Sequence, residues 1–404
     1  MFSRIFQALT YREFRIMWLG ACTSSIGTWL QKAAQSWLVY DLSHSTVLLG
    51  LDQFLGEIPI LLFSLFGGVA SDRFDRRKIL IGSQLGQMLA AFTLALLFFS
   101  GFFTGKVVWP ILALSFVTGF SQAFGGPAYQ SLLPMMVPKD AIQNAIAMNS
   151  LQFNVARVIG PTLAGVALLK WGPAWCFTLN GFSFLAVIFS LMMISEKRGG
   201  GKKDESVLAS IRKGIDFIRN TQGLDALIVL AFCMTALGLP IITFLPVIAR
   251  EVFQRDAELF TKFLVASGFG SICGALIVAA TGHIRRKGRA ALFNLIVLGA
   301  LVSVFALSRN VWLSYATIFF AGGTLMCVFA YIASVVQNLT TDDMRGRVMS
   351  VYNVAFRGGG PIGALLAGEL IEMSSAPTVL LGCGLLLGVL GGYFLLVNRR
   401  VALL

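Results

Sequence analysis

The feature that most constrains this chain is its succession of apolar runs, each about 20 residues or longer and parted by short polar turns. No water in a bilayer core can satisfy free backbone groups, so a chain that spans it must be helical or a closed barrel. Barrel strands would alternate in polarity every second residue, and these runs are continuous. Composition agrees: 56% of the 404 residues are apolar and 13% are charged, against about 25% charged in a soluble domain. So little charge cannot coat a soluble protein of this size.

Twelve spans are predicted, at 14–39, 46–70, 78–101, 107–130, 142–170, 173–195, 223–249, 260–282, 289–308, 311–338, 346–370 and 376–398. The expected fold class is all-α integral membrane, with twelve transmembrane helices in two pseudo-symmetric six-helix bundles. Residues 1–195 form the first bundle and 223–404 the second. Residues 196–222 join them as a cytoplasmic linker. The linker opens on EKRGGGKKDES, a charged flexible stretch. It continues as VLASIRKGIDFIRNT, with Val207, Leu208, Ile211, Ile215 and Ile218 on one helical face and Arg212, Lys213 and Arg219 among them. That pattern predicts a basic amphipathic helix on a membrane surface.

The net charge of +13 would suggest nucleic acid in a soluble protein. Here loop position explains it. With the N-terminus inside, 23 Lys and Arg fall on cytoplasmic segments and six on the opposite loops. That bias predicts cytoplasmic termini and a cytoplasmic linker, and nucleic acid is not an expected partner. The N-terminal stretch MFSRIFQALTYREFR is a basic lead-in without a cleavage site, so the first span is expected to act as the insertion signal. The six cysteines sit inside apolar runs without metal-ligand spacing and read as small buried hydrophobes. No metal or cofactor is implied.

The two halves carry related segments. SLQFNVARVIGPTLAG at 150–165 and SVYNVAFRGGGPIGAL at 350–365 align with a shift of 200 residues. Ser150, Arg157, Gly160, Pro161 and Ala164 then meet Ser350, Arg357, Gly360, Pro361 and Ala364. A shared Arg, Gly and Pro at fixed spacing inside apolar helices points to an internal repeat, with helix kinks expected at Gly160–Pro161 and Gly360–Pro361. Two related halves around a central site is the plan of many secondary transporters.

Between spans two and three the chain reads GGVASDRFDRRKIL, which fits G-x-x-x-D-R-x-x-R-R with Gly68, Asp72, Arg73, Arg76 and Arg77. Together with the twelve-span plan, this loop resembles the signature loop of the major facilitator superfamily, and the resemblance covers nearly the whole chain. Asp75 departs from it, standing where the family often has Gly. Gly68 is expected to let span two pack closely, Asp72 to cap a neighbouring helix, and the arginines to hold acidic partners as a gate; the alternative is that the arginines only set topology. WLQKAAQSWLVYDLSHSTVLLGL and ARVIGPTLAG further resemble the bacterial branch that includes enterobactin exporters and macrolide or multidrug efflux pumps. That resemblance implies proton-driven export of a small amphipathic molecule across the inner membrane. Uptake, or movement of a lipid-like substrate, is the alternative within transport. An integral-membrane enzyme is the alternative of another class; against it, the sequence lacks H-E-x-x-H, a Walker loop and G-x-S-x-G. Protons, membrane lipids and the small-molecule substrate are the expected partners, and the chain is expected to be a monomer.

Five ionisable residues lie well within spans: Lys32, Asp52, Glu57, Arg157 and Arg357. Each would cost about 2.5–3.5 kcal/mol or more at the centre of a lipid-facing helix, so all five are assigned to substrate or proton coupling. At 1.5 Å per residue, Lys32 and Asp52 both lie about 9 Å from the outer ends of their spans, which makes a Lys32–Asp52 pair feasible. Glu57–Arg157 is a second possible pair, and the deeper Glu57 is the favoured proton carrier. Arg357 then lacks an evident acidic partner, which predicts a preference for an anionic or zwitterionic substrate over a simple cation. Gln31, Gln35, Asn149, Gln152 and Asn154 are candidates to bond a substrate.

Overall fold

A computed structural model describes residues 6–103, 107–195, 207–281, 284, 286–341 and 343–404. The charged stretch 196–206 and His283 lie outside the described residues, as do the side chains of Val207, Leu208 and Ile211.

The chain is helical along its length. In order the helices are α1 (Arg12–Ser43), α2 (Thr46–Arg73), α3 (Arg76–Phe99), α4 (Trp109–Leu132), α5 (Ile142–Lys170), α6 (Pro173–Met192) and α7 (Val207–Asn220). They continue as α8 (Leu224–Gly238), α9 (Ala257–Ala280), α10 (Lys287–Leu307), α11 (Val311–Asn338), α12 (Arg345–Met373) and α13 (Ala376–Leu396). Short helical pieces carry α8 on to Val252. Among the described residues, nine helices are long and apolar enough to cross a membrane. The long helices outside that set are α1, α4 and α12. They fall short in hydropathy, not in length, and two of them carry candidate site residues, Lys32 and Arg357. Large apolar side chains face outward along the helices, among them Leu62, Phe66, Leu96, Phe189 and Leu276. A soluble surface would not carry so dense a band of them.

Contacts divide the chain into two compact units, 1–44 with 55–203, and 45–54 with 204–404. Within the first unit α1 packs on α5 and α6, and α3 packs on α4 and α6. Within the second, α8 packs on α12, and α10 packs on α11 and α13. The pairs α1–α5, α3–α4 and α3–α6 thus recur as α8–α12, α10–α11 and α10–α13. Each Gly-Pro segment meets the first long helix of its own unit. A Cβ at Gly160 would overlap Trp29 of α1, and one at Gly360 would crowd Leu239, which follows α8.

Polar bonds and close glycine seams hold the units internally. The first contains a buried amide network. Asn180 Nδ2 donates to Gln31 Oε1 at 2.7 Å, Gln35 Nε2 to Ser115 Oγ at 2.7 Å, and Gln87 Nε2 to Gln122 Oε1 at 3.2 Å. Gln152 Nε2 donates to the Ala21 carbonyl at 3.1 Å and to Ser25 Oγ. Such bonds replace the hydrophobic drive that lipid cannot supply between helices. Small residues line seams in both units, as where Gly119 meets the Gly56 backbone in the first. α9 and α11 touch backbone to backbone where Gly270 meets Phe319 and Gly274 meets Gly323, leaving no room for a Cβ.

The N-terminal lead-in docks on the first unit: Ala8 N–H donates to Asn144 Oδ1 at 2.8 Å, and Trp18 Nε1–H to the Met148 carbonyl at 2.9 Å. The amphipathic helix α7 packs on α12, with Ile218 buried and Gly214 pressed against the Arg347 backbone. Arg212, Lys213 and Arg219 stay exposed. The missing Cβ at Gly214 allows this docking, because an added Cβ would sit 3.0 Å from the Arg347 carbonyl oxygen.

Candidate functional site

Lys32 sits on α1, and Trp29 lies three residues before it on the same helical face. On α2, Glu57 turns its carboxylate toward that face. Lys32 Nζ and Glu57 Oε1 meet at 3.1 Å. The Lys32 side chain is 51% exposed and the Glu57 side chain 23%, and in a watery setting such a pair is worth about 0–1 kcal/mol. Lys32 Nζ also lies 5.8 Å from the centre of the Trp29 ring. From α5, the Arg157 guanidinium carbon lies 5.5 Å from the same ring centre. One indole therefore serves two cations, each within cation–π range. Phe153, one turn before Arg157 on α5, meets Trp29 edge-on at 5.8 Å and is exposed.

These contacts correct the pairing inferred from depth. The carboxylate that meets Lys32 is Glu57, not Asp52. Asp52 is buried and belongs to 45–54, the part of α2 that groups with the second unit, whereas Lys32 and Glu57 belong to the first. Arg157 rests on Trp29 instead of forming the Glu57–Arg157 pair. Arg357 is exposed on α12 and is engaged in an interaction. Gln31, Gln35 and Gln152 are tied into the amide network, and Asn149 Oδ1 accepts from the Tyr129 hydroxyl at 2.8 Å. Asn154 Nδ2 donates to the Ser150 carbonyl of its own helix. These amides join helices or bond locally.

Trp29 was missed in the sequence because it reads as one more apolar residue. Its i, i+3 spacing to Lys32 was the available signal. Gly160 was read with Pro161 as a kink, but its role in packing is to admit the Trp29 side chain between α1 and α5. Pro161 and Pro361 both lie inside their helices, α5 and α12.

The loop between α2 and α3 is also rearranged relative to expectation. Asp75, the residue that departs from the motif, caps α3: its Oδ1 accepts from the Arg77 backbone N–H at 2.9 Å. Asp72, expected to cap a helix, instead faces Arg76 one turn on, at 3.8 Å. Asp75 wins because it immediately precedes α3, where a side-chain oxygen can reach the free N–H groups of the first turn. Arg76 Nε also donates to the Ser71 carbonyl at 3.2 Å. Arg77 Nη2 donates to the carbonyl of Met192, the last residue of α6, at 3.0 Å. Arg73 is exposed. A Cβ on Gly68 would meet nothing within 4 Å. The close packing expected of Gly68 occurs one residue earlier, at Gly67 against the Ala123 backbone.

Curated relatives match along most of the chain. The staphyloferrin A transporter of Staphylococcus aureus is 25% identical over 84% of this chain and 85% of its own length. The multidrug efflux pump Tap of Mycolicibacterium fortuitum is 24% identical over 92% of each chain. The enterobactin exporter EntS of Shigella boydii is 23% identical over 96% of this chain and 92% of its own. Among solved structures, a POT family transporter in complex with 5-aminolevulinic acid superposes with a TM-score of 0.77, covering 96% of each chain at 11% identity, which speaks to the fold alone. The relatives are transporters, and this chain is a multi-pass membrane transporter, not an enzyme. The sequence profile of transmembrane secretion effectors matches residues 4–402, so the chain belongs to that family, within the major facilitator superfamily.

Proposed function

We propose that this chain exports a small amphipathic molecule across the bacterial inner membrane by alternating access, driven by proton entry. In this reading α1, α4 and α12 also cross the bilayer, giving twelve spans in two six-helix bundles, with both termini cytoplasmic. The protein works as a monomer among membrane lipids. The names of its relatives support efflux, since drug pumps and a siderophore exporter stand among them. The observation that carries the reading is the Lys32–Glu57 pair on the polar face of α1. Ionisable side chains within membrane spans mark substrate, ion or proton paths by default. Glu57 is the proton carrier in this scheme: a carboxylate that exchanges a proton for a cationic partner gives the two states that antiport requires. The α2–α3 loop, with Asp72, Arg73, Arg76 and Arg77, gates the cytoplasmic side.

The test is transport by the purified protein in proteoliposomes with an imposed pH gradient, using a panel of fluorescent dyes and siderophores. Gradient-driven accumulation that is lost in Glu57→Gln supports the scheme. Accumulation that ignores the gradient refutes proton coupling, and accumulation in the opposite sense refutes export.

A further inference from the structure

We propose that Arg157, held over the Trp29 ring and beside Phe153, is a carboxylate-binding site, at which a transported molecule docks an anionic head with a flat apolar body behind it. The proposal rests on the transport reading above and deepens it by naming the chemical class of one substrate group.

The Arg157 guanidinium carbon lies 5.5 Å from the Trp29 ring centre. The ring face attracts the charge but offers no oxygen to the five N–H donors of a guanidinium. Among the described residues, no carboxylate pairs with Arg157 and no oxygen accepts a hydrogen bond from it. Lys32, the second cation at the same ring, already has Glu57 Oε1 at 3.1 Å. The positive charge of Arg157 is therefore left unmatched beside Trp29. Its donors keep the planar fork that grips a carboxylate through two parallel bonds.

The packing of α5 on α1 leaves a way in. Phe153, Arg157, Gly160 and Ala164 follow one another at helical spacing along one face of α5. At one end of this row the seam is closed: Ala164 is fully buried, and Gly160 is pressed against Trp29 and the α1 backbone. At the other end Phe153 is exposed and meets Trp29 edge-on. Arg157, half-buried, sits between the two. The fork takes the carboxylate, and the open Phe153 ring takes the apolar body. A lipid phosphate does not fit, because at 1.5 Å per residue Arg157 lies about 20 Å from either end of α5, far from the headgroups. A cation would meet an unmatched like charge. Trp29 is a positioning residue: it holds the guanidinium in place and leaves its donors to the ligand.

Probes of one shape and different charge test this: naphthoate, naphthylmethanol and naphthylmethylamine, substituted at the same ring position. Binding to the purified full-length protein in detergent is read by equilibrium dialysis against protein-free micelles. The wild type should bind naphthoate about tenfold more tightly than the alcohol, the scale of one charge-assisted bond, and the amine no better than the alcohol. Arg157→Met should bring naphthoate down to the level of the alcohol and leave the alcohol unchanged. Arg157→Lys should keep only part of the preference, because an ammonium carries the charge without the fork. A wild type that does not prefer naphthoate overturns the proposal, as does unchanged naphthoate binding in Arg157→Met. An equal loss for naphthoate and the alcohol also overturns it, since that reports a structural arginine alone. Should Arg157→Met fail to fold, Arg157→Lys decides: naphthoate weakened about threefold or more with the alcohol unchanged supports the site, and any other result overturns it. Binding in detergent needs no gradient, so its failure is distinct from a failure of proton-driven export.

Discussion

Asp75 Oδ1 accepts from the Arg77 backbone N–H at 2.9 Å, and Asp75 is the residue at which the loop departs from its family pattern. A Gly there would permit the turn but could not cap it with a side chain. The departure therefore exchanges backbone freedom for a helix cap.

Asp75→Ala should lower stability by about 0.5–2 kcal/mol, the usual cost of losing a side-chain N-cap. Asp75→Asn should lose much less, because its carbonyl oxygen can accept the same bond. Asp72→Ala should fall below both, since Asp72 is exposed and its contact with Arg76 is 3.8 Å long. Thermal unfolding of the three variants in one detergent checks the order. An Asp72 effect larger than that of Asp75 would return the capping role to Asp72.

At the α1–α5 crossing, Gly160→Ala should destabilise by about 1–3 kcal/mol, the range for an added methyl that forces a packed seam apart, because its Cβ would collide with Trp29. Gly68→Ala should be neutral or slightly stabilising, because its Cβ meets open space inside a helix. Melting temperatures of the pair decide the matter, and equal losses would contradict the packing described.

The fold was legible because its signal is coarse: run length, loop charge and a repeat carried by Arg, Gly and Pro all survive without knowing any side-chain contact. The pairing of charges was not legible. Depth along a helix placed Lys32 opposite Asp52, yet depth says nothing of azimuth, nor of where along α2 one compact unit gives way to the other. Trp29 was hidden for a different reason. Among 34 Phe and seven Trp, an aromatic residue in a span has no distinguishing mark until its neighbours are known. The buried amides were visible as polar residues, but no pattern in one strand of sequence shows that Gln31 and Asn180, 149 residues apart, bond to each other.

Removing one half of that amide bond should be measurable. Gln31→Leu leaves Asn180, which is buried, without its acceptor at 2.7 Å. Bonds of this kind between membrane helices contribute about 0.6 kcal/mol on average and up to about 1.7. The double variant Gln31→Leu with Asn180→Leu should recover part of the loss, because the buried Asn180 amide is then no longer stranded. A double-mutant cycle by unfolding in detergent reads the coupling, and additive losses would mean the contact contributes nothing.

Arg77 separates a structural role for the loop arginines from a purely topological one. Its Nη2 donates at 3.0 Å to the carbonyl of Met192 at the end of α6, where the helix leaves carbonyls unpaired and carries partial negative charge. If the arginines served only to keep this loop on the cytoplasmic side, Arg77→Lys would match the wild type, because either cation satisfies the charge bias. The contact predicts otherwise. Lysine brings a compact point charge without the planar fork that reaches the carbonyl from α3. Arg77→Lys should then lose about 0.5–1.5 kcal/mol, the net worth of one hydrogen bond, and Arg77→Ala, which also removes the cation at the helix C-terminus, somewhat more. Membrane insertion should stay normal in the lysine variant, as read by cysteine labelling of the loop from each side. Unfolding measured on the same samples completes the test, and an Arg77→Lys protein as stable as the wild type would leave topology as the whole explanation.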